Sequence, residues 1–170
     1  MQVLLGLGAN LGDPPRAFAA ALAALGPAAR TVAVSRLYRG PAEGPPQPDY
    51  WNAVALLEAR VPPLELLALC LELERRAGRV RRPGGPAGPR PLDLDLVLVP
   101  GVVCRGPRLE LPHPRCHRRA FVMVPAAEVV PDWIHPLLGR TVARLAASLA
   151  GSGLAPLPDG WRPAALRGRG

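Results

Sequence analysis

The sequence predicts an α+β fold: a mainly antiparallel sheet with helices on both faces. Three observations carry this. Apolar stretches with strand-like and helix-like spacing follow one another in the order β-α-β-β-α-β, with further helical patterns after them. Two strand-like stretches, 30–38 and 50–59, succeed each other with no helical pattern between them, as in an antiparallel pair joined by a loop. The chain has 170 residues of which 49% are hydrophobic, enough to bury a core in one domain without disulfide or metal staples. The order is that of a split βαβ, ferredoxin-like α/β sandwich. The expected domain is 1–155, with 156–170 as a flexible C-terminal tail; no internal repeat is visible.

Each element has a local cause. Residues 2–9 are short and apolar, as a central strand requires. Gly8-Ala9-Asn10-Leu11-Gly12-Asp13 makes a turn. Asp13 can cap a helix whose first turn accepts Pro14, and Gly26-Pro27 ends that helix after Leu25. Val32, Val34 and Leu37 mark the strand at 30–38. Gly40 to Asp49 is a loop with four prolines, and a loop of that length in a small domain is often functional. Val54, Leu56 and Leu57 belong to the strand at 50–59. Pro62-Pro63 opens a helix over 63–77, with Leu64, Leu67 and Leu71 as its apolar stripe and Gly78 at its end. Arg79 to Pro91 is a Gly/Pro/Arg loop. A strand follows at 93–99, Pro100-Gly101 turns the chain, and a short strand is expected near 102–104. A helix is expected within 117–130 and a better one over 137–150. Beyond Gly151 the Gly/Pro/Arg-rich chain reads as frayed.

Composition narrows the function. The chain contains no lysine, so all 21 basic residues are arginine, and the formal net charge is +8. Such a chain attracts polyanions: nucleic acid, an anionic membrane or small phosphorylated molecules. No long basic run, RNA-binding aromatic motif or zinc-finger spacing is present, which favours a nucleotide ligand over a nucleic acid. No apolar run approaches a membrane span. Met1-Gln2-Val3-Leu4-Leu5 lacks the basic start of a signal peptide. Cys70, Cys104 and Cys116 are odd in number and show no metal-ligand spacing, so they read as reduced structural thiols. These features predict a soluble, cytoplasmic protein without membrane or nucleic-acid partners. A monomer is expected, because no apolar stripe is left over.

The most informative segment is Arg90-Pro91-Leu92-Asp93-Leu94-Asp95-Leu96-Val97-Leu98-Val99. In a strand its leucines share one face, and Asp93, Asp95, Val97 and Val99 share the other. The two carboxylates then lie roughly 6.5–7 Å apart along the chain. Two unpaired carboxylates in a buried strand are costly and need cations. Oxygen ligands of this kind suit Mg²⁺, which completes its shell with water and phosphates. The arginines at 79, 81, 82 and 90 leave two readings open: a structural salt-bridge cluster, or a polyphosphate site with metal on one side and arginine forks on the other.

This segment, preceded by Gly78-Arg79-Val80-Arg81, closely resembles the 6-hydroxymethyl-7,8-dihydropterin pyrophosphokinase family of folate biosynthesis. Gly8-Ala9-Asn10-Leu11-Gly12 resembles its N-terminal turn. Gln47-Pro48-Asp49-Tyr50-Trp51-Asn52-Ala53 resembles its pterin-binding segment. Arg108-Leu109-Glu110-Leu111-Pro112-His113-Pro114 and Arg119-Ala120-Phe121 resemble later substrate-binding segments. The matches run in order from residue 1 to about 135.

The resemblance implies transfer of pyrophosphate from ATP to the pterin hydroxymethyl group, releasing AMP, with two Mg²⁺ and no covalent intermediate. It implies Asp93 and Asp95 as metal ligands, with Asp95 also orienting the hydroxyl or accepting its proton. Arg81 and Arg90 would share the catalytic work. Glu74, Arg79, Arg81, Arg90, Arg108, His113 and Arg119 would line the ATP site. Tyr50 and Phe121 would sandwich the pterin, and Gly40, Pro41, Glu43, Asn52 and Asp93 would complete its site. Arg115 and Arg118 read as surface charge. Arg81 and Arg82 sit on a loop that could close over the phosphates. The chain departs from the family pattern at Pro83-Gly84-Gly85-Pro86-Ala87, where an arginine and a tryptophan are usual. It departs also at Gly40, where threonine is common, and at Glu43 and Pro114.

Two rivals are distinguishable. A kinase or nucleotidyl transferase would use the same two-metal logic but release ADP or pyrophosphate; without a Gly-x4-Gly-Lys-Ser/Thr loop, or any lysine, it is not a P-loop enzyme. An RNA-binding α+β domain would display aromatics on its strands, where this chain displays carboxylates and aliphatics.

Overall fold

The strand Gln2–Ala9 (β1) lies at the centre of the sheet because its residues are apolar on both faces. Its neighbours are Tyr50–Ala59 (β4) on one side and Asp93–Leu98 (β5) on the other, both antiparallel to it. Ala29–Val34 (β2) and Tyr38–Gly40 (β3) both pair with β4. The predicted strand at 30–38 is thus two strands, because the ladder is interrupted at Ser35: its amide donates to the Val54 carbonyl at 2.9 Å, but its hydroxyl, not its carbonyl, accepts the Val54 amide at 3.0 Å. The hairpin Cys104–Arg105 (β6) with Glu110–Leu111 (β7) forms a second, two-stranded sheet. Ala155–Pro156 (β8) pairs with β3. The computed structural model describes residues 1–79, 88–158 and 161.

Two cores cover the two faces of the sheet. Pro14–Leu25 (α1) and Pro63–Arg76 (α2) bury Phe18, Leu22, Leu25, Leu66 and Cys70 against one face. Ala120–Val129 (α3) and Val142–Ala147 (α4) bury Val122, Met123, Ala126, Val142 and Leu145 against the other. Asp13 caps α1 as expected, its Oδ1 accepting the amide of Arg16 at 3.2 Å. The ferredoxin-like α+β reading holds, with helices on both faces. Among the described residues no helix is long and apolar enough to cross a membrane.

Four local expectations are corrected. In α2 the buried stripe is Leu66, Cys70 and Glu74, whereas Leu64 and Leu71 are exposed. The helix is leucine-rich all round, so the stripe is chosen by Glu74, whose carboxylate must meet β5. The alternation in β5 breaks after Leu96: a register shift against Leu4/Leu5 turns Leu98 to the α3 face, with Val97, and Val99 to the opposite core. The helix expected over 137–150 is only Val142–Ala147, because residues before it form a turn at His135–Gly139 and an Ile134–Thr141 bridge. The chain beyond Gly151 makes ordered contacts: β8 pairs with β3, and buried Trp161 donates to the Ser35 carbonyl at 3.0 Å and meets the Phe18 ring edge-on. Residues 159–160 and 162–170 lie outside the described residues.

Candidate active site

The floor of the site lies on the α3 face, where β4, β1 and β5 end side by side. Asn52, Gly8 and Asp93 are direct cross-strand neighbours, and the next row places Val54, Gly6 and Asp95 together. The period of two in β5 puts both carboxylates on this face, as the sequence predicts. Gly8 leaves the space between Asn52 and Asp93 open: a Cβ there would stand 3.4 Å from Asn52 Oδ1, 3.6 Å from Asp93 Cβ and 3.8 Å from Tyr50 Cδ1. The carboxylates open into a cleft of about 500 Å³.

The walls come from three segments. The Pro41–Pro45 loop forms one, with Glu43 near the mouth. The segment from His113 to Arg119 forms another; the His113 amide donates to the Val97 carbonyl at 2.8 Å, which docks it on the outer edge of β5. Helix α3 then begins with Phe121 on the cleft. Its position is fixed by Glu128, which accepts from Arg36 (2.7 Å) and from the Tyr38 hydroxyl on β3. Arg79 and Arg90 close the third side.

Two ion pairs organise the floor. Arg79 Nη1 bonds Asp93 and also Glu74 Oε1, the latter at 2.6 Å. Glu74 is buried behind the strand and accepts the Leu94 amide at 2.8 Å, so one carboxylate holds both the arginine and the backbone between the two aspartates. Arg90 lies over the Tyr50 ring (5.4 Å) and Arg119 over the Phe121 ring (5.3 Å), each guanidinium using an aromatic face as its support. Arg90 Nε is 3.3 Å from Asp93 Oδ2, an ion pair whose geometry is not that of a hydrogen bond. Among the described residues Arg90 Nε and Arg119 Nε are buried without a hydrogen-bond partner. With Arg79 and Arg115 they put four guanidiniums around the cleft, a lining that suits an anion.

The electrostatics also ask for a cation. Burial raises the Asp95 carboxyl above its ordinary value, and the nearby Asp93 charge raises it further; His113, Arg119 and Arg79 offset this only partly. Burial likewise lowers His113, keeping its imidazole neutral, against a raising effect from Asp95. A carboxylate that burial and a like charge both disfavour, on the floor of a cleft, fits a divalent ion with oxygen ligands. The donor set of Asp93 and Asp95 therefore fits Mg²⁺.

The structure brings most predicted site residues to one place. Pro41, Glu43, Tyr50, Asn52, Arg79, Arg90, Asp93, Asp95, His113, Arg119 and Phe121 all line the cleft. Gly40 lines an adjoining cavity of about 240 Å³, with Leu154 packed against it. Glu74 is not a lining residue but a buried anchor behind the strand. Arg108 is exposed on the β6–β7 turn and does not reach the cleft, because the hairpin closes there through Gly106 and Leu109 at 2.9 Å. Arg81 and Arg82, with the 83–87 loop, lie outside the described residues. Arg115, read as surface charge, lines the cleft, and Arg118 lines the adjoining cavity; arginine-rich sequence offers no signal for which guanidiniums face inward. Asn10, in the turn after β1, has a site role the sequence pattern does not announce: its side chain accepts from the Arg90 amide at 2.8 Å and donates to Gln47 at 3.0 Å and Pro48 at 3.1 Å. It ties the start of the β5 segment to the loop before Tyr50. The signal available is the residue type: Asn in a Gly-rich turn, buried, must satisfy its amide.

The chain is similar to known proteins. A family model described as 7,8-dihydro-6-hydroxymethylpterin-pyrophosphokinase (HPPK) matches residues 4–131. The 2-amino-4-hydroxy-6-hydroxymethyldihydropteridine pyrophosphokinase of Pseudomonas aeruginosa is 40% identical over 160 residues, 92% of this chain and 97% of that protein. The protein of the same description from Synechocystis sp. is 40% identical over 144 residues, 84% of this chain and 73% of that one. The wild-type Plasmodium falciparum HPPK-DHPS with SDX-DHP superposes with a TM-score of 0.68 at 11% identity over 86% of this chain, a likeness of fold alone. This chain spans 44% of that longer one. With a family model matched over residues 4–131 and a relative 40% identical over 92% of this chain, the chain belongs to the 7,8-dihydro-6-hydroxymethylpterin-pyrophosphokinase family.

Proposed function

We propose that the chain transfers the pyrophosphoryl group of ATP to the hydroxymethyl group of 6-hydroxymethyl-7,8-dihydropterin, giving the pterin diphosphate and AMP, a step of folate biosynthesis. The observation that carries this reading is one cleft that gathers the buried Asp95 carboxylate beside Asp93, a pair suited to a cation, and four lining arginines, Arg79, Arg90, Arg115 and Arg119, suited to an anion. Magnesium–polyphosphate satisfies both at once.

Two Mg²⁺ ions held by Asp93 and Asp95 would neutralise charge developing on the ATP phosphates. The protein's own groups do the rest. Arg79 and Arg90, which flank Asp93, would clamp phosphate oxygens, with Arg115 and Arg119 on the opposite wall. Tyr50 and Phe121 offer flat faces for the pterin, and Asn52 offers an amide to its edge. His113, neutral, can hydrogen-bond a phosphate or the leaving group without adding charge. Asp95 orients the substrate hydroxyl and takes its proton as oxygen attacks the β-phosphorus. The bond from that phosphorus to the α-phosphate bridging oxygen breaks, and AMP leaves with the electron pair. Most of the rate comes from holding these groups in line and from preorganised charge. The expected setting is a cytoplasmic monomer acting on two small molecules.

The test is the nucleotide product. With ATP, Mg²⁺ and the pterin, chromatography should show pterin-dependent AMP without ADP. ADP would mean an ordinary kinase on the same scaffold. Retention of single-stranded RNA at low salt, with no turnover, would favour the binding-domain reading instead.

A further inference from the structure

We propose that Cys116, His117 and His135 form a transition-metal site that takes Zn²⁺ or a similar divalent ion, on the segment carrying His113 and Arg119. None of the three lines the cleft or has a part in the transfer reaction. The proposal does not depend on the function proposed above.

The three side chains converge as the ligands of one ion would. The ligand atoms of the three residues lie within 4.8 Å of one another. Cys116 Sγ and His135 Nε2 are 3.7 Å apart; with bonds of about 2.3 Å to sulfur and about 2.05 Å to nitrogen, an ion touching both would subtend an angle of about 116°, close to tetrahedral. The rings of His117 and His135 stand edge to face, with centroids 5.7 Å apart and planes at 81°. Thiolate plus imidazole is a borderline-soft donor set that selects zinc-like ions over Mg²⁺. His117 is half-buried and gives an ion a way in, while Cys116 and His135 are buried.

The ligands are held before any ion arrives. The Cys116 amide bonds the His113 carbonyl at 3.0 Å, and its own carbonyl accepts the Arg119 amide at 3.1 Å. His135 is fixed by its amide to the Arg140 carbonyl at 2.9 Å and by the Gly139 amide on its carbonyl at 2.9 Å. The two sides are 19 residues apart in sequence, which is why cysteine spacing alone does not reveal the site. The Leu137 amide points at His135 Nδ1 from 3.4 Å, which favours the tautomer with its proton on Nε2, toward Sγ. On binding, that proton moves to Nδ1, the thiol proton leaves to water, and metal–sulfur and metal–nitrogen bonds form. The long Leu137 contact is a weak bond to give up. Water fills the fourth position. An ion here would bind the His135 turn to the segment between His113 and Arg119.

Cobalt reads this out directly. Metal-free, reduced protein in excess Mg²⁺ is titrated with Co²⁺ and followed by absorption. The expected result is one equivalent of cobalt with an intense thiolate-to-cobalt charge-transfer band, displaced by one equivalent of Zn²⁺. An oxygen-only site at the aspartates gives no such band. Cys116→Ser should abolish it and Cys104→Ser should leave it. His117→Asn should weaken Co²⁺ binding at least about 100-fold, since even an outer partner of a ligand typically contributes 10–100-fold. Absence of the band in the wild type, or its persistence in Cys116→Ser, overturns the proposal. If Cys116→Ser does not fold, the half-exposed His117 decides: undiminished affinity in His117→Asn overturns it equally.

Discussion

Glu74→Ala tests whether the floor of the cleft is held from behind. Glu74 is 1% exposed, and its Oε1 is shared by the Leu94 amide at 2.8 Å and Arg79 Nη1 at 2.6 Å. Truncation leaves the Leu94 N–H without this acceptor, worth about 1–3 kcal/mol when buried. It also breaks an ion pair between nearly buried partners, worth about 3–5 kcal/mol. Both losses come from one carboxylate and overlap, so the expected destabilisation is about 3–5 kcal/mol rather than their sum. For a chain of this length that lowers Tm by about 6–20 °C. Glu74→Gln keeps an acceptor for Leu94 and loses only the charge, so it should cost less, about 1–3 kcal/mol. Both variants should also lose turnover, because Leu94 lies between Asp93 and Asp95. Urea and thermal unfolding followed by circular dichroism give the energies, and steady-state kinetics the turnover. An Ala variant within about 1 kcal/mol of wild type, or a Gln variant damaged as much as Ala, would refute the anchoring role.

Asp95→Asn should lower activity by about a hundredfold or more while leaving the fold intact; an active variant contradicts the metal assignment. The same substitution should raise the Tm of metal-free protein at neutral pH. Asp95 has its folded-state value raised, so its contribution to stability is present in acid and is lost as pH rises through that value, whereas the amide does not titrate. A metal-free variant that melts below wild type at neutral pH would show the carboxylate is not destabilising. Phe121→Ala should weaken pterin binding by about 5- to 150-fold, the loss of one stacking face of about 1–3 kcal/mol, and leave ATP binding nearly unchanged; calorimetry with each ligand separates the two, and equal losses would make Phe121 structural. Trp161→Ala removes the edge-on contact with Phe18 and the hydrogen bond to Ser35. It should cost about 3–5 kcal/mol, and an unchanged unfolding curve would mean the indole adds nothing to the core.

Where sequence period and end signals act locally, the fold was legible. The turn signals Asp13-Pro14 and Gly26 bound α1, and the alternation Leu92 to Leu96 put both aspartates on one face. Readings failed where a distant contact decided. The α2 stripe followed Glu74 to its partners on β5, not the most leucine-rich line. The register shift beside Leu4/Leu5 depends on a neighbouring strand and leaves no mark in residues 97–99 themselves. The tail is ordered at β8 and Trp161 because Tyr38–Arg39 and Phe18 supply partners more than a hundred residues earlier in the chain. At the site the paired carboxylates were legible from the alternation in the strand, whereas Tyr50, Asn52 and Phe121 were marked by the resemblance to the family. Arg115 and Arg108 were not legible, since one of 21 arginines looks like another until the backbone aims it.

The most direct test of the account follows the phosphorus atoms. The protein is given the pterin, Mg²⁺ and ATP labelled either at the α- or at the β-phosphate, and the pterin product is isolated. Pyrophosphoryl transfer predicts that the β-label moves to the pterin and the α-label stays in AMP. A β-label retained in ADP would contradict the account in favour of simple phosphoryl transfer, and an α-label on the pterin would contradict it in favour of nucleotidyl transfer.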